Sequence, residues 1–221
     1  MRGSQTSTFL HLFLEKMASR NPQVPTKCLV AIVTGNRELV LGLTTASIEY
    51  FVDGTTGEEK QTRHIEAVLP GGTLERFVDK DAHSAALRGF EEKVGPRARA
   101  FLEKECHFEG EVSHTDDSVD HHAFIYTLNS SAVGGALGLK AELYESLSEL
   151  MAIRCREEGL PALGELYGFT VVHLADLLPK ELGPDDLYPL NDKIDLWQHY
   201  EHIAMKVAVF FNYPGQRAGV Q

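Results

Sequence analysis

A β-rich run that enters two glycines, followed by a short polar loop and an amphipathic helix, constrains this chain more than any other feature. Ile65 to Leu69 reads as a strand leading into Pro70-Gly71-Gly72, and glycines at that point permit a sharp reversal and close approach of the backbone to a ligand. Asp81 to Val94 then has helical character. Asp81 suits the cap, Leu87, Phe90 and Val94 recur at helical spacing, and Gly95-Pro96 stops the helix. Residues three and four apart share a face, so Arg88, Glu91 and Glu92 project together while Leu87, Phe90 and Val94 turn to the core.

The rest of the chain supplies alternating strands and helices. Lys27 to Thr34 and Glu38 to Thr44 are β-rich runs around Gly35-Asn36-Arg37, which reads as a hairpin. Ile48 to Val52 reads as a further short strand, and Asp53 to Glu58 as a polar surface turn. Val112 and Ala123 to Leu128 look like paired strand material, Leu139 to Glu158 like a long amphipathic helix, Phe169 to Leu174 like a strand, and Ile194 to Phe211 like a terminal helix. With 221 residues, 43% of them apolar, one α/β domain with an added helical insertion is expected over 25–213. Residues 1–24 form a helical or flexible segment in this reading, and 214–221 a flexible tail.

A net charge of -11 argues against general binding to nucleic acid or to an anionic membrane, because both would be repelled by the average field. Three cysteines without paired spacing indicate neither a disulfide scaffold nor a zinc site. No apolar run approaches the length that spans a bilayer. A soluble protein of a reducing compartment, the cytoplasm, is expected. The stretch from Thr8 to Arg20 is faintly similar to an organellar presequence, which leaves import open, and a packed or frayed helix is the preferred reading.

The segment Leu69-Pro70-Gly71-Gly72-Thr73-Leu74-Glu75, followed by Ala85-Ala86-Leu87-Arg88-Gly89-Phe90-Glu91-Glu92-Lys93-Val94-Gly95, resembles the Nudix box in content and order. The resemblance implies a Nudix-type α/β/α sandwich with a mixed sheet. It also implies Mg²⁺ or Mn²⁺ on helix carboxylates, where the ion bridges phosphate oxygens and activates water. The departures are as informative. Where the family carries the first and last glutamates of its helix motif, this chain has Gly89 and Lys93, so Glu92 alone remains of the usual three ligands. The loop acid falls on Lys80, between Asp79 and Asp81, in a loop about two residues longer than usual. The metal set implied is Glu92 with Glu91 and a loop acid such as Asp79 or Asp81, with a lysine in the cation's place weakening it by repulsion.

Two further segments are similar to the ADP-ribose pyrophosphatase branch of that family, which includes the Nudix-like sensor domain of an ADP-ribose-gated channel. They are Gly110-Glu111-Val112 with Asp116 to Phe124, and Leu187 to Ile194. The branch implies a nucleoside diphosphate linked to another group, ADP-ribose first, as the small-molecule partner, and homodimers occur in it. Glu92, Arg88 and Glu165 become the candidate catalytic residues, with Arg88 orienting Glu92 and Glu165 a general base or water-positioning acid. Gly71, Gly72, Asp120, His122 and Lys93 become the candidate substrate contacts. Tyr188, Trp197 and Tyr200 are candidates to stack a base, with core packing the default; Phe210 and Phe211 read as packing.

Two readings compete, with a structural subunit that uses the fold as scaffold within a larger complex as a third. One is a pyrophosphohydrolase with a weakened box. The other is a catalytically silent Nudix domain that binds a nucleotide or a protein partner, in which Lys93 pairs a phosphate directly. For Arg88, Glu91 and Glu92 taken alone, an ordinary solvated helix face with an i,i+4 ion pair is the simpler account.

Overall fold

The computed structural model describes residues 24–115, 118–132, 134–157, 165–178, 189–191, 194–196 and 198–212. The expected helix over 8–20, the tail from 214, and Tyr188 and Trp197 lie outside the described residues. In chain order the elements are β1 (Thr26–Val33), β2 (Glu38–Val52), β3 (Glu59–Val68), β4 (Gly71–Thr73), α1 (Ala82–Val94), α2 (Pro96–Glu105), β5 (Cys106–Thr115) and β6 (Asp120–Leu128). There follow α3 (Gly135–Glu157), β7 (Leu166–His173), a 3-10 turn (Leu174–Leu177), β8 (Pro189–Asn191), β9 (Ile194–Leu196) and α4 (Gln198–Asn212).

The nine described strands form one mixed sheet around β1. β1 runs parallel to β6 along its whole length, from Thr26 beside Asp120 to Val33 beside Thr127. On its other side it meets two antiparallel partners in succession. Its first half pairs with β4, Lys27 opposite Thr73 and Cys28 opposite Gly72, and its last two residues pair with β2. Six consecutive residues, Cys28 to Val33, are buried, as befits a strand covered on both faces. The chain thus bends at Leu69-Pro70, so that β3 serves β2 while β4 serves β1.

Helices cover both faces, giving an α/β sandwich. Adjacent residues of a strand point to opposite faces. Phe124 and Tyr126 of β6 meet His83 of α1, whereas His121 meets Tyr200 of α4. α1 and α4 therefore lie on opposite sides. Tyr200 and Phe210 are buried in the core, and Phe211 packs against it, ring to ring with Phe210.

The expected helical insertion is α3, and it pins the corner between α1 and α2. Buried Ser146 accepts a hydrogen bond from the Ala98 N–H through its Oγ at 3.0 Å, and donates to the Val94 carbonyl at 2.8 Å. Gly95 between them has φ 107°, and a Cβ there would come within 2.5 Å of the same Oγ. Only glycine fits that turn.

Four boundaries differ from expectation. The runs Glu38 to Thr44 and Ile48 to Val52 are one 15-residue strand, because a bulge between Thr45 and Ser47 absorbs the irregularity. Gly95-Pro96 ends α1 but also starts α2, since proline is well accommodated in a helix's first turn. Gly71-Gly72 belongs to a short strand where a reversal was expected. Ile194–Leu196 is a strand parallel to β3, so the last helix begins at Gln198.

Candidate functional site

The box helix and the glycine strand are in backbone contact. A Cβ built on Gly89 would lie 2.2 Å from the Gly72 nitrogen, 2.4 Å from the Gly71 carbonyl carbon and 2.5 Å from the Gly72 Cα. Gly72 faces back: a Cβ on it would lie 3.1 Å from the Gly89 Cα. No side chain of any kind fits at position 89, where the resemblance places the family's first glutamate. The glycine pair and the helix glycine are one device for close approach.

Arg88, one residue earlier, ties the loop to the helix. Its Nε and Nη2 donate to both carboxylate oxygens of Asp79, at 2.8 and 2.9 Å, and Nη2 also donates to the Thr73 carbonyl at 3.0 Å. Nη1 donates to Glu92 Oε1 at 2.9 Å. The Asp79 side chain is only 2% exposed and accepts the Glu75 N–H as well. Those bonds, led by the guanidinium, hold its carboxyl below the usual range. The loop acid that faces Arg88 is thus Asp79, not residue 80, a shift the longer loop permits.

Lys93 lies one turn beyond Gly89 on the same helix face. It is half-buried, and among the described residues no carboxylate or other hydrogen-bond partner lies within reach of its ammonium. Burial pushes its pKa down, and the Lys27 ammonium pushes it further, against a smaller pull from Glu92. Lys27 stands opposite Thr73 in the β1–β4 pairing and donates from Nζ to Thr73 Oγ1 at 2.8 Å. Lys27 pairs with His121 of β6 and so leaves the sheet on the α4 face, away from α1.

Glu165 is brought to the same end of α1. Arg154 of α3 pairs with the Glu165 carboxylate and donates to the Glu92 carbonyl at 2.6 Å. Thr44 Oγ1 donates to the Glu165 carbonyl at 3.2 Å. Through Arg154, Glu165 is thus linked to the Glu92 backbone near the end of α1.

The remaining candidates have other engagements. Asp81 caps α1, accepting from the Ser84 N–H and hydroxyl, each at 2.7 Å. Glu91 pairs with Arg99 of α2 at 2.6 Å. Asp120 and His122 sit on β6, on the far side of β1 from β4. The ring of His122 is held from both sides, Nδ1 by Glu111 and Nε2 by Asp120 at 3.0 Å. Burial works against its charge, but the two carboxylates outweigh it and raise its pKa above the ordinary histidine value.

A magnesium ion needs several oxygens about 2.0–2.1 Å from one point. Among the described residues no three His, Cys, Asp or Glu side chains converge in that way. Glu91 and Asp81 turn to Arg99 and Ser84, position 89 is closed, position 93 carries an ammonium, and Glu92 is left beside Arg88. The described carboxylates do not fit the ion that the resemblance implies.

Lys27, Arg154 and the His83 cluster were not legible as site neighbours in the sequence. Lys27 meets Thr73 only through strand register, and Arg154 reaches α1 only because α3 packs on it. His83 lies between the rings of Phe108 and Phe124, centroids 4.9 and 4.8 Å away, and shares a 2.5 Å hydrogen bond with the Tyr126 hydroxyl. Cys28 and Cys106 are buried, and burial raises both thiols to about 12, which leaves them unreactive. Among the described residues no helix is long and apolar enough to cross a membrane. No family model matches the chain, and no curated protein matches it.

Proposed function

We propose that this chain is a Nudix-type domain that binds a nucleoside diphosphate linked to another group, ADP-ribose first among them, without hydrolysing it. One observation carries the reading: Gly89 is closed against Gly71 and Gly72, and Lys93 stands one turn on, so two of the three metal-ligand positions of the box hold backbone and a cation. Hydrolysis by that box depends on an ion to neutralise the diphosphate and activate water. A box whose last acidic position holds an ammonium favours the anion itself.

The hydrolase reading draws on a different observation. Arg154 pairs with Glu165 and bonds the Glu92 carbonyl, which supports the role of water-positioning acid that the resemblance implies for Glu165. The experiment that separates them incubates the protein with ADP-ribose and a panel of nucleoside diphosphate sugars in Mg²⁺ or Mn²⁺, with calorimetric binding in parallel. Binding without product is expected. Metal-dependent turnover abolished by Glu92→Gln would replace this reading with the hydrolase one, and neither binding nor turnover would remove both.

A further inference from the structure

β5 is an edge strand of the sheet, and a side-chain cluster rather than a second ladder secures its outer half. Among the described strands it pairs with β6 alone. The register shifts between Phe108 and Gly110, and a ladder is locally disrupted at such a bulge. Beyond it, Glu111 to Thr115 run to the end of the strand opposite Phe124 to Asp120.

Asp120, His122, Phe124 and Tyr126 of β6 share the face that meets α1. On that face the His122 ring lies between two carboxylates. Its Nδ1 meets Glu111 of β5, and its Nε2 meets Asp120 at 3.0 Å. Asp120 also accepts from the Thr115 hydroxyl at 2.8 Å, directly across the ladder. Ionised carboxylates only accept, and a neutral imidazole donates from one nitrogen, so both contacts are hydrogen bonds only while the ring carries two protons. Loss of one proton sets a ring lone pair against a carboxylate, and that contact is repulsive.

The other described groups around the ring are engaged or neutral. Cys28 of β1 stands opposite His122 in the β1–β6 pairing, its thiol pushed up to about 12 by burial and by nearby carboxylates. His83 of α1 is held by the Phe108 and Phe124 rings and the Tyr126 hydroxyl. Asp79 and Arg88 on the α1 side match each other. His114 and His121 point to the opposite face, where they meet His202 and Tyr200 of α4, and Lys206 of α4 donates to the Ser113 carbonyl.

We propose that Glu111, His122 and Asp120 form a proton-operated latch: the doubly protonated ring fastens the outer half of β5 to β6, and release of one proton to solvent frees it. The latch stands apart from the nucleotide reading and makes this edge of the sheet responsive to pH. Burial lowers the ring's pKa, but the two carboxylates outweigh it and leave the value above the ordinary 6.5. The latch is therefore complete below the ordinary value and is lost as pH rises through the raised one.

The test is NMR of the histidine ring nitrogens in the full chain, titrated from acid to alkaline pH, for wild type, Glu111→Gln and Asp120→Asn. The His122 ring is assigned through bonds from its own backbone amide. Both of its nitrogens are expected to stay protonated above pH 6.5, with a midpoint that each substitution lowers. Amide hydrogen exchange is read in parallel and corrected for its intrinsic pH dependence. Protection within Glu111 to Thr115 should fall about tenfold through the same midpoint, while Val30 in β1 keeps its own. The glutamine variant should lack that step, and because Glu111 is partly exposed its loss leaves the core intact. A midpoint at or below 6.5, a midpoint moved by neither substitution, or protection that does not change across it overturns the latch.

Discussion

The two sides of one helix, α1, differ in how their charges are partnered. On the Arg88 side every charge has an opposite within hydrogen-bond distance, and the guanidinium fork closes on a carboxylate that is almost fully covered. On the Gly89–Lys93 side the helix touches backbone, then carries a half-buried ammonium whose pKa is lowered by burial and by the field of Lys27. The first arrangement holds a loop in place. The second keeps a charge at a cost in hydration. A charge seen in a sequence tells its sign, while the partner opposite decides whether it stabilises the fold or burdens it.

The comparison can be broken most severely at Gly89. In an open helix Gly→Ala stabilises by up to about 1 kcal/mol, whereas here the new Cβ meets the Gly71–Gly72 backbone. Gly89→Ala is expected to cost about 3 kcal/mol. Denaturant unfolding reads this directly, and a stabilising result would mean that the close contact does not exist.

On the Arg88 side, Asp79→Asn removes the carboxylate from a fork that needs it and should cost about 2–3 kcal/mol. The pH dependence has a definite sign. The folded pKa of Asp79 is depressed below its ordinary 3.8, so its contribution is complete above that value and is lost as pH falls through the depressed one. Melting curves between neutral and strongly acid pH should converge for wild type and Asp79→Asn.

On the other side the sign reverses. Lys93→Met should raise stability by about 1 kcal/mol at neutral pH by removing an ammonium that burial and Lys27 disfavour. The folded pKa is lowered, so between it and the ordinary lysine value the unfolded chain binds more protons and wild-type stability rises with pH. The advantage of Lys93→Met should therefore shrink as pH rises; an advantage independent of pH would assign it to packing instead. Glu91→Gln gives the smallest effect. Its pair with Arg99 is partly exposed on both sides, and removing it should change stability by under about 0.5 kcal/mol.

Much of the scaffold was legible because periodicity reports burial. The run Cys28–Val33, the helix bounded by Asp81 and Gly95, and the long helix before β7 follow from apolar spacing and caps, and the structure places them within a few residues of expectation. What local pattern misses is pairing. β9 is three residues long and exists because β3 offers it an edge, so nothing in Ile194–Leu196 separates it from the start of the next helix. The site divides in the same way. Arg88, Glu92, Lys93 and Glu165 were named from the sequence and are set on α1 or linked to it, while Asp81 and Glu91 were named and are engaged elsewhere.

Residue types and spacing by themselves determined an α/β chain with a glycine strand leading to a capped helix, and set glycine and lysine at positions 89 and 93, where the resemblance to the Nudix box implies glutamates. Tertiary structure alone decided what those changes mean. Position 89 is closed because the helix and strand β4 approach to backbone contact. Asp79 is the acid that meets Arg88 because the loop folds back onto α1. Lys27 meets Thr73 because strand register sets the two opposite. Each depends on distances between residues far apart in the chain, and spacing along one element does not encode them.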